Sequence, residues 1–339
     1  MIIENNIIIL NYMDIKKSKS NIVLIGAGYW GTNIAKNLIK LKINKITVCD
    51  SNLLNSKILK KRFPKNIVIN NNFKSLIRNK LYKYFIFATP PSKNYKLIDE
   101  ALKYDKKIFL EKPGFKSLKE LNNLKKKFPY KINNISFGYI YIFNNYIKYI
   151  KKFVNNKKNG KILYINFQRQ NLGPIRNDVD VSYDLSSHDI SILLYLFNHK
   201  LKLLSSYGYK ILKKNISDIS NLSFKIHDFY AHINNSWINP DKVRRIIIIT
   251  SKKMLLFDEM KSVNKIKIFN KYAHYPKVNK LKNKFFFKSA KIYEGQNFEP
   301  KIYDNDPLFD EIKYFLTSKK NNIIDYKFGS KVLDILNTI

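Results

Sequence analysis

Gly26-Ala27-Gly28-Tyr29-Trp30-Gly31 spells GxGxxG between a short apolar run, Asn21–Ile25, and a stretch with Ile34, Leu38 and Leu41 at helical spacing. A strand running through three glycines into a helix is the context in which the motif binds a dinucleotide. The first glycine permits the tight turn, the second lets backbone N–H groups approach a pyrophosphate, and the third lets the helix pack closely on the strand; the helix N-terminus then faces the phosphate charge. Asp50 ends the next apolar run, Lys45–Asp50, about 20 residues past the glycines. There a carboxylate can accept hydrogen bonds from the adenosine ribose and repel a 2′-phosphate, which favours NAD over NADP, although nearby lysines and Arg62 could tolerate the phosphate. The same aspartate could instead open the turn Asp50-Ser51-Asn52.

Two further strand ends carry candidates. Ala88-Thr89-Pro90-Pro91 and Glu111-Lys112-Pro113 both follow apolar runs, at the carboxyl edge of the expected sheet where open α/β folds bind ligands. A lysine ending a buried strand is costly without a task or partner, so Lys112 is a candidate functional group. Asp184 and His188 are four residues apart, a spacing that puts both on one helix face, where the carboxylate could orient the imidazole as an acid–base group. Taken alone, such a pair is more often a structural hydrogen bond. His199, His227, His232 and His274 show no ligand spacing and Cys49 has no second cysteine beside it, so no metal site is expected.

The elements that must position these residues alternate between strand and helix over the first part of the chain. Further strands are expected at Ile67–Ile69, Tyr84–Ala88 and Lys107–Leu110, with a helix over Asn94–Tyr104, which argues for a doubly wound parallel (Rossmann) sheet over 21–135. Residues 136–339 read differently. Helices are expected at Asn145–Val154 and Tyr183–Phe197. A strand is expected at Ile162–Arg169, then a succession at Leu203–Tyr209, Leu222–His227, Tyr230–Trp237, Arg244–Thr250 and Met254–Phe257, and closing helices at Pro307–Phe315 and Lys331–Leu336. This is an α+β domain with a largely antiparallel open sheet. Residues 1–20 put Glu4 before their apolar run and read as a disordered tail rather than a signal peptide, with Met13 an alternative start.

The chain of 339 residues carries a formal charge of +38, which could mean a polyanionic partner. Lysine is instead scattered through the whole length beside Asn and Ile, the pattern of compositional bias, so no nucleic-acid partner is expected. No apolar stretch is long enough to span a membrane, and one cysteine fits a reducing cytoplasm.

Read in order, GAGYWGTNIAKNL, KKRFP, ATPP, IFLEKP, DLSSHDISILLYLF and PLFDEIKYFL resemble the Gfo/Idh/MocA family of sugar and inositol dehydrogenases over nearly the whole chain from Asn21. The resemblance implies a cis Lys112–Pro113 peptide, Lys112 as the catalytic lysine, and His188 as proton acceptor or donor with Asp184 beside it. The cofactor contacts it implies are Gly26, Gly28, Tyr29, Trp30, Gly31, Asp50, Thr89, Pro90, Asn94, Glu111 and Lys112. Asn94 departs from the family, which often has histidine there. Arg169, Asn171, Arg176 and Tyr183 lie in a stretch similar to the branch linked to nucleotide sugars and surface polysaccharide, and with Lys112, Asp184 and His188 they form the implied substrate contacts. The arginines suit a sugar carboxylate or diphosphate. The implied activity is NAD-dependent hydride transfer at a sugar ring carbon, often C3, of a UDP- or dTDP-linked sugar, in a cytoplasmic homodimer or homotetramer joined through the open sheet. A non-catalytic dinucleotide sensor with the same fold is the competing reading.

Overall fold

The computed structural model describes residues 22–274, 290–318 and 322–339; the tail expected over 1–20 lies outside them. The chain divides into two units, one comprising Met1–Phe143 with Asp306–Asn337 and the other Asn144–Asn305 with Thr338–Ile339.

In the first unit β1 (Ile22–Ile25), β2 (Ile46–Cys49), β3 (Ile67–Ile69), β4 (Tyr84–Phe87), β5 (Lys107–Glu111) and β6 (Ile135–Gly138) form a parallel sheet in the order β3-β2-β1-β4-β5-β6. The expected doubly wound sheet is therefore present. All four β1 residues are buried, which is why this strand reads as a continuous apolar run: helices cover both faces of such a sheet. The helix Tyr29–Lys40 buries Ile34, Ala35 and Leu38. The helix Leu53–Arg62 has no comparable stripe, because Leu53, Leu54 and Ile58 are exposed; Asn52 caps it by accepting a hydrogen bond from Leu54 N, and capping rather than patterning marks its start.

Residues 306–337, which the sequence places in the second domain, pack with the first unit. Asp306 caps the helix Pro307–Thr317, accepting from Phe309 N at 3.1 Å, and takes Lys40 Nζ at 2.9 Å. Phe315 on that helix meets Phe109 and Tyr84 with ring centroids 5.4 and 5.8 Å apart. Phe137 N donates to Ile324 O at 2.7 Å, closing the β6 edge, and the helix Tyr326–Leu336 lies over it so tightly that a Cβ at Gly329 would stand 2.4 Å from the Phe137 ring. The lengths of chain between these helices and the first sheet hid this pairing, since linear patterning carries no long-range contact.

In the second unit β7 (Ile162–Leu172), β8 (Lys202–Tyr209), β9 (Ile219–Ile226), β10 (Phe229–Ser236), β11 (Ile238–Thr250), β12 (Met254–Asp258) and β13 (Ile266–Phe269) form one sheet, ordered β13-β12-β11-β7-β10-β9-β8. Every neighbouring pair is antiparallel except β7 with β10. β14 (Lys271–His274) and β15 (Lys291–Glu294) make a separate antiparallel pair. Along β7, Ile165, Phe167 and Arg169 are buried while Asn166, Gln168 and Gln170 between them are half-exposed, the alternation of a sheet covered on one face. Among the described residues no helix is long and apolar enough to cross a membrane.

A Gly329→Ala substitution should overpack the Phe137 contact and cost about 1–3 kcal/mol, read as a lower urea midpoint; an unchanged midpoint would show that the ring can move aside.

Candidate functional site

At its first and third glycines the turn has the steric need that its spacing predicts. Gly26 has φ +92°, a conformation in which a Cβ would also sit 2.6 Å from Ala88 O. At Gly31 a Cβ would stand 2.0 Å from Gly26 O, so the helix reaches the turn only because this residue has no side chain. Gly28 is the opposite case: nothing lies within 4 Å of a Cβ there. Gly28 is also the N-cap of the helix Tyr29–Lys40, where no side chain caps the first turn and no acidic residue occupies it. Backbone donors and the positive end of the helix dipole thus face open space beside Gly28, which fits the pyrophosphate of a dinucleotide.

Asp50 follows β2, and its two carboxylate oxygens accept from Ala27 N at 2.6 Å and Asn52 N at 2.7 Å. It therefore holds the glycine turn and opens its own turn at once. Asn55 Nδ2 makes a longer contact at 3.5 Å, and since a carboxylate offers about four acceptor positions, capacity remains for a ribose hydroxyl. Tyr29 is 83% exposed, whereas the Trp30 indole nitrogen is buried.

The ends of β1, β4 and β5 are neighbours in the sheet, with Ile25 opposite Phe87 and Phe87 opposite Leu110. The glycine turn, the Thr89-Pro90 turn and Lys112 thereby share one carboxyl edge. Thr89 is half-buried and Pro90 exposed. Asn94 is fully buried; its amide donates to Gly114 O at 2.6 Å and its oxygen accepts from the Thr89 hydroxyl. Expected to touch the cofactor, Asn94 is seen instead as a strut joining the two turns. Lys112 is half-buried and the Lys112–Pro113 peptide is cis. Glu111 is 8% exposed, and burial pushes its carboxyl up to about 7.

The second-unit candidates separate. Arg169 is 6% exposed and grips Asp189 through Nε at 3.0 Å and Nη2 at 2.7 Å, while Asn235 donates to the same carboxylate at 3.3 Å. The expectation that Arg169 binds substrate meets a buried ion pair, which the low dielectric around Asp189 demands. Asp189 and Asn235 escaped the sequence reading, although an aspartate on the apolar face of a helix was a visible signal. Arg176 reaches Asp178 at 2.7 Å and Asp184 at 3.5 Å. Asn171 accepts from Arg244 Nη2 and donates to Gly173 O. Tyr183 and Asp184 lie on a π-helical turn, Ser182–Ser186, and His188 lies beyond it on the helix Ser187–Phe197. All three are half-buried. The π turn carries more residues per turn than an α-helix, so the i,i+4 pair straddles a change of helical pitch rather than one regular face. Among the described residues no cluster suits a metal ion.

Residues 20–139 match the model of the Gfo/Idh/MocA oxidoreductase family with its NAD-binding Rossmann fold. The matched stretch runs from β1 to β6 and includes the glycine turn, the part of the chain suited to a dinucleotide. No curated protein matches the chain. Solved structures with a similar fold include a UDP-N-acetylglucosamine 3-dehydrogenase from Acidithiobacillus ferrooxidans, at 16% identity and TM-score 0.73 over 94% of this chain and 95% of that one. A putative oxidoreductase from Magnetospirillum magnetotacticum aligns at 21% and 0.74, over 94% and 98%. A myo-inositol dehydrogenase from Corynebacterium glutamicum aligns at 15% and 0.73, over 94% of both chains. At these identities the likeness is one of fold, and it runs past residue 139 into the second unit.

Two outcomes check the geometry. Gly28→Val should fold normally, since its side chain enters open space, yet bind NAD at least tenfold more weakly in a calorimetric titration; undiminished affinity would remove the pyrophosphate from this turn. Asp189→Ala should strand a buried guanidinium and lower stability by about 3–5 kcal/mol, measured by chemical denaturation.

Proposed function

We propose that this chain is a Gfo/Idh/MocA oxidoreductase that moves a hydride between NAD and a ring carbon of a sugar, C3 of a UDP- or dTDP-linked sugar, in the synthesis of surface polysaccharide. The observation that carries the reading is the shared carboxyl edge at which Lys112 stands two strand ends from the glycine turn. Bound there, the dinucleotide supplies the acceptor or donor of hydride. The solved relative named for a UDP-sugar 3-dehydrogenase supports the nucleotide-sugar substrate.

In this reading the Lys112 ammonium donates a hydrogen bond to the reacting hydroxyl and stabilises oxygen charge as the C–H bond is broken. His188 exchanges the hydroxyl proton, since an imidazole titrates near neutral pH. Asp184 stabilises the protonated ring and Arg176, already turned to Asp184 and Asp178, offers its charge to the diphosphate. Tyr183 and Asn171 line the sugar. The protein acts as a cytoplasmic homodimer or homotetramer formed across the open face of the second-unit sheet, where Tyr164 and Tyr230 stand side by side in register.

The test is NADH absorbance with NAD and a panel of UDP- and dTDP-sugars, for the native chain and Lys112→Ala. NADH should form with one sugar, and the variant should keep NAD affinity while losing turnover at least a hundredfold. NAD binding without turnover on any sugar would favour the dinucleotide-sensor reading. His188→Ala should flatten the acid limb of the pH–rate profile; an unaltered limb would assign the proton to another group.

A further inference from the structure

Two buried acids of the first unit, Glu111 at the end of β5 and Glu311, take no part in the proposed chemistry. On the helix Pro307–Thr317, Glu311 falls in the stripe of Leu308, Ile312 and Phe315 that packs inward, and it is fully buried. Glu111, directly before Lys112, is buried as well, lying opposite Gly138 in the sheet with its carboxyl 3.2 Å from the position of a Cβ there. Both belong to the first unit. Neither Glu311 oxygen accepts a hydrogen bond, nor does Glu111 Oε1. The buried Trp30 indole N–H faces Glu111 without closing a bond on it. The groups around the two acids are Lys112 at the strand end, Trp30 on the helix Tyr29–Lys40, and the Tyr139 backbone N–H after β6.

Two carboxylates taken out of water beside each other cannot both stay ionised. Burial, then the Glu111 charge, raises Glu311 well above the usual carboxylate range, and burial carries Glu111 to about 7. One proton on Glu311 satisfies both acids, since the protonated carboxyl donates where an ionised pair could only repel. The remaining single negative charge then balances the Lys112 ammonium.

We propose that Glu111 and Glu311 share one proton, and that Glu311, by holding it, leaves Glu111 as the counter-charge that positions Lys112. Glu311 is a positioning residue and touches neither substrate nor cofactor. The inference concerns the charge state around Lys112 and holds whether or not the chain turns over a nucleotide sugar.

The experiment compares the full chain with Glu311→Gln and Glu311→Leu. Infrared spectra of the native protein at neutral pH should contain a protonated-carboxyl C=O stretch that vanishes in Glu311→Gln; absence of the band in the native chain overturns the proposal. Because an unfolded glutamate releases its proton at the ordinary value while the folded pair keeps it, stability from this source is greatest at acid pH. It falls as pH rises through the ordinary range toward the pair's own titration, and Glu311→Gln should flatten the fall. Trace acetylation of Lys112 against pH, read by mass spectrometry, tests the positioning. Glu311→Leu removes the donor, favours neutral Glu111, and should shift the Lys112 reactivity profile to lower pH, whereas Glu311→Gln, which can still donate, should leave it in place. Identical profiles in both variants and the native chain overturn the positioning role, and if Glu311→Leu does not fold, the infrared and stability comparison with Glu311→Gln decides the proton.

Discussion

The contact between Gly31 and the Gly26 carbonyl sets the geometry of the first unit. Without room for a single methyl group, the helix Tyr29–Lys40 is drawn onto the end of β1 and its uncapped N-terminus is aimed across Gly28. Asp50 reinforces the arrangement by holding Ala27 N from the end of β2, and Gly26 N donates to Cys49 O at 2.9 Å. Two strands and one helix are thus locked around a small opening lined with backbone donors. The acidic residue that belongs to the ribose in such folds is here a structural part of the same turn.

From that opening the sheet carries the geometry sideways. β4 and β5 end beside β1, and Asn94 ties the turn after β4 to the loop after β5 through Thr89 and Gly114. Lys112 stands at the last of these ends. Its immediate neighbour Glu111 and the helix residue Glu311 bring buried acid next to it in a chain that is otherwise strongly basic. The formal charge of +38 describes a solvated surface, where water and salt screen it. The few charges that matter for chemistry are inside, where their partners decide their state.

Strands were legible where burial on both faces gives apolar runs, as in β1, and where burial on one face gives alternation, as in β9 and β10; β8, with no buried residue, was marked by its Leu, Ser and Tyr content alone. The glycine turn was legible because steric demands at Gly26 and Gly31 admit no other residue. Less could be read wherever a partner lay far along the chain. The helices after Asp306 close the first sheet rather than the second, and Arg169, an inviting substrate group by sequence, is spent on Asp189. Glu311 and Asp189 were nonetheless visible as acids set in apolar helical stripes, a pattern that sequence reading should treat as a sign of buried charge. The pitch change between Asp184 and His188 had no such sign: a π turn is written in the same residues as an α-helix.

The proposed hydride transfer between a sugar carbon and the dinucleotide would be seen in the movement of an isotope from one to the other. The protein would be incubated with NAD and UDP- or dTDP-sugars carrying deuterium at C3, and the recovered dinucleotide weighed by mass spectrometry. NADH bearing the deuterium is expected; NADH without the label would move the reaction to another carbon, and no label transfer from any ring position would contradict the proposed sugar dehydrogenase.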